Sequence, residues 1–329
     1  GRHVFDMFMT GLSLAVAMVP EGLPAVVTIT LALGASAMAR KKALARRLQA
    51  VETLGAASVI CTDKTGTLTE NKMTATRIWM LDDSYDVTGS GYDPAGHIAR
   101  AGERVRASDD AALGELLDTA ITCNHATLSR VGHDWQMTGA PTEGALVTLA
   151  YKGWAPLPDP ADAVAERPFS SERKCMSVMV RSGEVYRLHV KGAPEVVLAM
   201  SSRIRTRQGD RALTMDDRKF VSEAYEDMAA RGLRVIGLAA RSTDRDALEE
   251  TDMVFLGLVG LIDPPRPEVK DAVRGASMAG IRVIMITGDS PVTARAIAET
   301  LGMGRPECLE GGDVDAMSEA DLKDKVTGN

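Results

Sequence analysis

The residues best suited to chemistry form a short turn early in the chain. Asp63 follows an apolar run at 58–62 that is typical of a buried strand, and it precedes Lys64-Thr65-Gly66-Thr67. A carboxylate at a strand end, followed by a glycine-containing turn, can face a phosphate whose oxygens are bound by backbone N–H groups. Carboxylates attack phosphorus, and phosphoryl transfer depends on a divalent metal, a cation and hydroxyl donors. A lone Asp-Lys-Thr-Gly also occurs in ordinary turns, but the longer run at 61–69 favours the catalytic interpretation.

Two further acidic motifs follow strand-like runs late in the chain. The apolar run 254–262 ends at Asp263-Pro264-Pro265-Arg266, and the run 281–286 ends at Thr287-Gly288-Asp289. Between and after them, helices are predicted over 267–280 and from an N-cap at Ser290 to position 301. This β–α–β–α order predicts a parallel doubly wound sheet, in which ligands bind beyond the carboxyl ends of the strands. We therefore expect the three acidic motifs to meet at one edge.

The long region between these motifs, 73–258, is typical of an inserted domain. It alternates short β-like runs with helical ones, and the segments 89–102 and 153–163 are rich in loop residues. Strands are predicted at 176–180, 185–190 and 234–239, and helices at 110–122, 142–151 and 216–231.

The amino-terminal segment has a different character. Between positions 7 and 39 the only ionisable residue is Glu21, and a basic cluster follows at 40–47. An apolar run of this length can span a bilayer, and the basic flank places its carboxyl-terminal side in the cytoplasm. Pro20-Glu21-Gly22-Leu23-Pro24 breaks the helix, and a carboxylate at that depth marks an ion path. The alternative interpretation is a kinked or buried helix with Glu21 at its edge.

Composition excludes several other classes of protein. The 329 residues are 45% apolar and carry a net charge of −7, so neither a disordered chain nor a nucleic-acid-binding surface is indicated. The four cysteines lie far apart, which favours reduced thiols in a cytosolic setting. No Walker A motif is present, which disfavours a P-loop ATPase.

Taken in order, these motifs resemble those of the P-type cation-transporting ATPases along essentially the whole chain. The run 61–69 resembles the phosphorylation motif, and 20–24 resembles the unwound cation-site segment of calcium pumps. Lys191-Gly192-Ala193-Pro194-Glu195 is similar to the nucleotide-domain motif, 263–266 to the hinge, and 287–289 to the phosphate-side motif.

The resemblance implies an α/β architecture with four parts. A broken transmembrane helix with a cytosolic extension (1–50) precedes the first part of a haloacid-dehalogenase-like, parallel-sheet phosphorylation domain (51–72). An inserted α+β nucleotide-binding domain (73–258) follows, and then the incomplete second part of the phosphorylation domain (259–329).

The resemblance also implies roles for individual residues. Asp63 would be the phosphorylated nucleophile, and Thr65 would bind Mg²⁺ through its backbone carbonyl beside Asp63. The other catalytic residues it implies are Lys64, Thr287, Gly288 and Asp289. The residues implied in binding ATP are Glu143, Phe169, Arg173, Lys174, Lys191, Gly192, Arg234, Asp263 and Arg266. Simpler explanations also exist, since Phe169 could belong to the core and the basic pair at 173–174 to a solvated face.

The resemblance implies a transported cation as well. Backbone carbonyls of Val16, Ala17 and Val19 would face it beside the Glu21 carboxylate, and all-oxygen ligation suits Ca²⁺. Soft-metal transport is disfavoured because no Cys-Pro-Cys is present, whereas Mn²⁺ and Na⁺ stay open. The expected setting is a multi-pass membrane protein with cytoplasmic catalytic domains, in contact with the lipid bilayer.

Some features of the family are missing from this sequence. It has no Thr-Gly-Glu motif, and neither the Gly-Asp-Gly motif nor the catalytic lysine that the family carries downstream in its phosphorylation domain is found after position 289. We therefore expect a fragment of a pump that binds nucleotide but does not transport without the remainder of the protein. The alternatives are a soluble haloacid-dehalogenase-like phosphatase and a non-catalytic nucleotide-binding regulator. A second Asp two positions after Asp63 would favour the phosphatase, but Thr65 stands there.

Overall fold

A computed structural model describes residues 2–18, 22–158, 162–244, 247–304 and 306–327. The chain divides into two units, residues 1–60 with 280–282 and residues 61–279 with 283–329.

The first unit consists mainly of three helices, α1 (Arg2–Ala17), α2 (Leu23–Arg40) and α3 (Gln49–Gly55). No residue of α2 is buried, although the helix is almost wholly apolar. By length and composition, α2 is the one helix in the described ranges that could cross a bilayer. The apolar segment therefore contains two helices, separated between Ala17 and Leu23 as the prolines predict.

The second unit holds most of the strands. Its strands are β1 (Val59–Asp63), β2 (Thr74–Met80), β3 (Asp83–Val87), β4 (Ile98–Arg100), β5 (Glu103–Val105), β6 (Thr127–Val131), β7 (Asp134–Thr138), β8 (Ala163–Arg167), β9 (Cys175–Ser182), β10 (Val185–Gly192), β11 (Ser201–Thr206), β12 (Gly209–Ala212), β13 (Arg234–Thr243), β14 (Met253–Ile262) and β15 (Arg282–Ile286), with β1 and β15 beginning in the first unit. Its helices are α4 (Ala111–Thr122), α5 (Pro141–Lys152), α6 (Pro194–Ala199), α7 (Met215–Ala230), α8 (Val269–Met278), α9 (Pro291–Thr300), α10 (Gly311–Ala316) and α11 (Glu319–Thr327).

Eleven strands form one large sheet. Nine of them lie in the order β5-β4-β3-β2-β14-β13-β10-β9-β8, while β11 pairs with β14 and β12. The β11–β14 pairing is parallel, and the pairings of β14 with β13 and β2 are antiparallel. The fold is therefore mixed α/β, with both kinds of strand pairing.

Strand β14 corrects one expectation from the sequence. The run 254–262 is expected in a parallel doubly wound sheet with the strands before Asp63 and Thr287, but β14 lies inside the large sheet instead. Val254, Leu256 and Val259 belong to the cluster beneath α4 and α5, whereas Phe255 and Leu258 belong to the cluster that includes α6 and α7 residues. A strand buried on both faces is apolar throughout, so the pattern alone does not say which sheet it joins.

The predicted elements around the acidic motifs are confirmed within a residue or two. Strands β1 and β15 pair in a separate two-stranded sheet. Ser290 caps α9, since its Oγ accepts a hydrogen bond from the Thr293 N–H at 3.4 Å. The segment 89–102 is not loop throughout, because it contains β4.

Candidate functional site

Asp63 lies at the last position of β1 with its side chain exposed. Its Oδ1 accepts a hydrogen bond from the Thr65 N–H at 3.2 Å, which bends the chain directly after the strand. Gly66 has φ of +75°, a conformation that residues with a side chain rarely adopt. The turn therefore presents the carboxylate to solvent.

Lys64, the next residue, is buried and only 7% exposed. Its Nζ lies 2.5 Å from Asp289 Oδ2. The Asp289 N–H donates to Thr287 Oγ1 at 3.1 Å, so the 287–289 turn is closed on itself. The ion pair brings this turn to the residue next to Asp63, while Gly288 beside it is exposed.

Asp263 and Arg266 brace the turn that follows Asp63. The buried Thr69 hydroxyl donates to Asp263 Oδ2 at 2.5 Å, and the Lys72 N–H donates to Asp263 Oδ1 at 3.1 Å. Arg266 donates from its backbone to Leu68 O at 2.9 Å and from Nη2 to Gly66 O at 3.0 Å. The sequence did not single out Thr69, which joins the two segments.

A second cluster forms at the start of α5. Lys191, only 7% exposed, places its Nζ 2.6 Å from Glu143 Oε1. Glu143 is in the first turn of α5, where a carboxylate complements the helix dipole. Arg234 is exposed and donates from Nη1 to Thr142 Oγ1 at 3.2 Å. Lys191, Glu143 and Arg234 thus converge from three different elements.

The loop 168–174 lies next to the end of β10. The Ala193 N–H donates to Lys174 O at 2.9 Å. A Cβ added at Gly192 would lie 2.6 Å from Lys174 O, so the two backbones approach closely. Phe169 is 60% exposed, so the structure does not place it in the core. Lys174 is exposed too, with its Nζ 3.7 Å from Glu195 Oε1.

Arg173 is held by polar contacts of its side chain, whereas the side chains of Phe169 and Lys174 are exposed. Its guanidinium donates to Pro168 O at 3.2 Å and forms an ion pair with Glu250. Sequence reasoning did not single out Glu250, which lies 76 positions after Lys174 in a loop without a motif.

His189 was also missed. It lies on β10 two residues before Lys191, it is buried, and its Nδ1 is 3.0 Å from Thr119 Oγ1. Burial lowers the pKa of His189 to about 3, with a smaller contribution from Arg187. The imidazole is therefore neutral near neutral pH. The sequence shows only a single histidine within an apolar strand, and that pattern does not predict a buried, neutral imidazole.

The amino-terminal cation segment is described in part. Val16 and Ala17 occupy the last turn of α1. Since Pro20 has no N–H, the Val16 carbonyl lacks the donor that a continuous helix would supply four residues later. Val19 and Glu21, also expected at this site, lie outside the described residues.

The oxygen atoms at Asp63 and Thr65 are suitable ligands for Mg²⁺ when a phosphate is also bound. No group of three or more His, Cys, Asp or Glu side chains that could hold a metal occurs in the described ranges. Mg²⁺ in phosphate sites uses one or two carboxylates and completes its shell with phosphate and water oxygens. The exposed Asp63 carboxylate and the Thr65 carbonyl are of this kind.

The chain matches one family model and is similar to several proteins named as calcium-transporting or cation-transporting ATPases. The family model described as "P-type ATPase, cytoplasmic domain N" matches residues 112–268. A calcium-transporting ATPase of Bacillus subtilis is 42% identical over 311 residues, which cover 92% of this chain and 35% of that protein. The calcium-transporting ATPase type 2C member 1 of Homo sapiens is 40% identical over 99% of this chain and 35% of its own length. The cation-transporting ATPase pma1 of Synechocystis is 40% identical over 98% of this chain and 37% of its own length.

The chain belongs to the P-type ATPase family. It is similar to relatives named as calcium-transporting and cation-transporting ATPases, and it spans about a third of their length.

Proposed function

We propose that this chain is part of an ATP-driven cation pump that forms an aspartyl phosphate at Asp63 and transports Ca²⁺. The observation that carries the proposal is the Lys64–Asp289 ion pair, with its 2.5 Å separation, at the residue that directly follows the exposed Asp63. The names of the relatives support ATP as the phosphoryl donor and calcium as the cation.

The proposed step is a direct displacement at phosphorus. An Asp63 carboxylate oxygen forms a bond to the γ-phosphorus of ATP, the bond to the β–γ bridging oxygen breaks, and ADP leaves. Lys64 and the Thr287 hydroxyl hold the phosphoryl oxygens, while Asp289 keeps Lys64 in place. The Asp63 carboxylate and the Thr65 carbonyl would hold Mg²⁺, which would supply charge neutralisation for the transferred phosphoryl group.

ATP binds in this proposal at the cluster formed by α5, β10 and the loop 168–174. Phe169 offers an exposed aromatic face for adenine stacking, and Lys174, Lys191 and Arg234 supply positive charge. Glu143 fixes the Lys191 ammonium through the 2.6 Å contact. The residues around β1 and β15 are proposed to form a haloacid-dehalogenase-like phosphorylation domain.

The cation path is assigned to the break between α1 and α2. In this proposal the ligands of Ca²⁺ would be the carbonyls of Val16, Ala17 and Val19 and the Glu21 carboxylate, and the remainder of the pump would complete the site. In this arrangement α2 lies in the lipid bilayer, and the catalytic residues are on the cytoplasmic side.

The decisive experiment is phosphorylation of the complete pump from radiolabelled ATP. We expect Asp63→Asn to abolish acid-stable, hydroxylamine-sensitive labelling, because an amide does not attack phosphorus as a carboxylate does. Nucleotide binding should persist in the same variant, which serves as the control for folding. Labelling at the wild-type level would place the nucleophile elsewhere.

The cation assignment has its own test. Glu21→Gln should weaken calcium uptake by vesicles, since a neutral amide does not offset the desolvation of a divalent ion. Nucleotide binding, measured on the same vesicles, should be unchanged. Unaltered calcium affinity would contradict the assignment of Glu21.

A further inference from the structure

Glu250 connects three segments near the loop 168–174 through one carboxylate. Its side chain is only 10% exposed. Oε1 accepts from Ser177 Oγ at 2.6 Å and pairs with Arg173 Nη2, and Oε2 lies 3.5 Å from Arg167 Nη1. Arg167 ends β8, Ser177 lies in β9, and Arg173 belongs to the loop between them. Glu250 itself comes from the connection between β13 and β14.

Arg173 also forms hydrogen bonds with other residues of the loop 168–174. Its Nη1 donates to Pro168 O at 3.2 Å, and its backbone N–H donates to Ser170 Oγ at 3.2 Å. The Lys174 N–H donates to Ser170 O at 2.8 Å. The Arg173 side chain therefore connects the second-last residue of the loop to its first, Pro168, and the guanidinium at the end of that side chain pairs with Glu250.

The residues that this loop presents have few contacts of their own. Phe169 is 60% exposed, so side-chain packing contributes little to its position. Lys174 has φ of +54°, which a residue with a side chain adopts only when its surroundings impose it. The shape of the loop therefore depends on hydrogen bonds and ion pairs, among them the Arg173–Glu250 pair, whose carboxylate is only 10% exposed.

We propose that Glu250 is a positioning residue for nucleotide binding, which acts through Arg173 to fix the loop that presents Phe169 and Lys174. The proposal rests on the nucleotide site proposed above. It also assigns Arg173 to the support of the loop, because its guanidinium already contacts Glu250 and Pro168.

The test is ATP titration of the chain by calorimetry, with thermal unfolding measured on each variant. Glu250→Gln keeps the size of the side chain and an acceptor for Ser177 but removes the charge that Arg173 pairs with. We expect the Kd for ATP to rise about fivefold or more. The amide resonances of 169–174 should broaden or shift, while those of β10 stay in place.

Asp217→Asn is the matched control. Asp217 is a comparably buried carboxylate, 6% exposed, which receives two hydrogen bonds from Arg211 at 2.6 and 2.7 Å. Its other partner is Thr214 at the start of α7. This variant should lower the melting temperature and leave the Kd for ATP within about twofold. An equal rise in Kd for both variants would show a general effect of stability and overturn the proposal.

A double-mutant cycle separates positioning from direct contact. Arg173→Lys keeps the charge but cannot bond Pro168 and Glu250 together. If Arg173 acts through Glu250, the two substitutions should have one shared effect on Kd, whereas additive effects would overturn the proposal. If Glu250→Gln folds poorly, Glu250→Asp can take its place in the cycle. Its Kd for ATP should lie between those of the wild type and Arg173→Lys.

Phe169→Ala tests the underlying nucleotide site independently. If it leaves the Kd unchanged, the site proposed for ATP is wrong, whatever Glu250 does. If it raises the Kd while Glu250→Gln has no more effect than Asp217→Asn, the site stands and the role of Glu250 is wrong.

Discussion

Lys64 Nζ lies 2.5 Å from Asp289 Oδ2, and this ion pair joins two motifs that are far apart in the sequence. Lys64 is nearly buried, so the carboxylate of Asp289 balances a charge that has little contact with water. The pair also holds Lys64 at the base of the turn that exposes Asp63. Electrostatic support of this kind, built before the substrate arrives, is what phosphoryl transfer requires.

The first prediction is that Asp289→Asn lowers both stability and phosphorylation. The variant leaves the buried Lys64 ammonium without its counter-charge, so the free energy of unfolding should fall by roughly 1–3 kcal/mol in urea titrations. Phosphorylation of the complete pump should fall with it. Asp271→Asn is the control, since it removes an exposed pair with Arg274 on α8 and should change stability by less than about 0.5 kcal/mol.

The second prediction concerns the end of the inserted domain. The boundary predicted after position 258 falls within β14, whose pairing with β2 continues to Ile262. Val259 and Leu261 are fully buried in the sheet. A polypeptide of residues 73–262 should therefore unfold cooperatively in urea and bind ATP. One that ends at 258 should be less stable by about 2–5 kcal/mol, because it lacks these side chains.

Equal urea midpoints for the two polypeptides would contradict the prediction that residues 259–262 of β14 stabilise the inserted domain. The helical content of both should be compared by circular dichroism, since α4 and α5 pack on the same apolar cluster.

The third prediction is that Gly192→Ala disturbs the nucleotide site. The added Cβ would lie 2.6 Å from both Lys174 O and Cys175 Cβ, so the loop and β10 would have to move apart. We expect a loss of about 1–3 kcal/mol in stability and weaker ATP binding by titration. Gly275→Ala is the control, because its Cβ would have no heavy atom within 4 Å. This helical position should gain about 0.5–1 kcal/mol.

The fourth prediction is a pH dependence from His189. Because burial lowers its pKa from 6.5 to about 3, the unfolded chain binds a proton at this residue before the folded chain does. Its contribution to stability is complete above pH 6.5 and is lost as the pH falls from there towards 3. The limiting slope is about 1.4 kcal/mol per pH unit for one proton.

Neighbouring groups modify this slope. Asp118 Oδ2 lies 4.0 Å from His189 Nε2, and burial raises the pKa of Asp118, which gives a contribution of opposite sign. Arg187 adds repulsion that lowers the pKa of His189 further. The measurement is the difference in urea stability between the wild type and His189→Gln at pH 7.5 and 5.5. Parallel curves for the two proteins would contradict the prediction.

Residue type and short-range spacing were enough to predict the local elements and the chemical groups. They indicate the strand before Asp63, the helices after 263–266 and 287–289, the Ser290 cap and the break in the apolar segment. Those signals come from residues close together in the chain, so they can be recognised without knowing the long-range contacts. The order of the motifs was also enough to identify the family.

How these parts meet depends on contacts between residues that are far apart in the chain. The apolar pattern of β14 fits any doubly buried strand, and long-range pairing placed it between β2 and β13 rather than beside β1. Asp263 and Arg266, which the resemblance implies in ATP binding, also brace the turn after Asp63, a contact that the residue pattern did not predict. The Arg173–Glu250 pair and the buried His189 left no sequence signal. Their roles depend on burial and on partners distant in the chain, which the residue pattern does not encode.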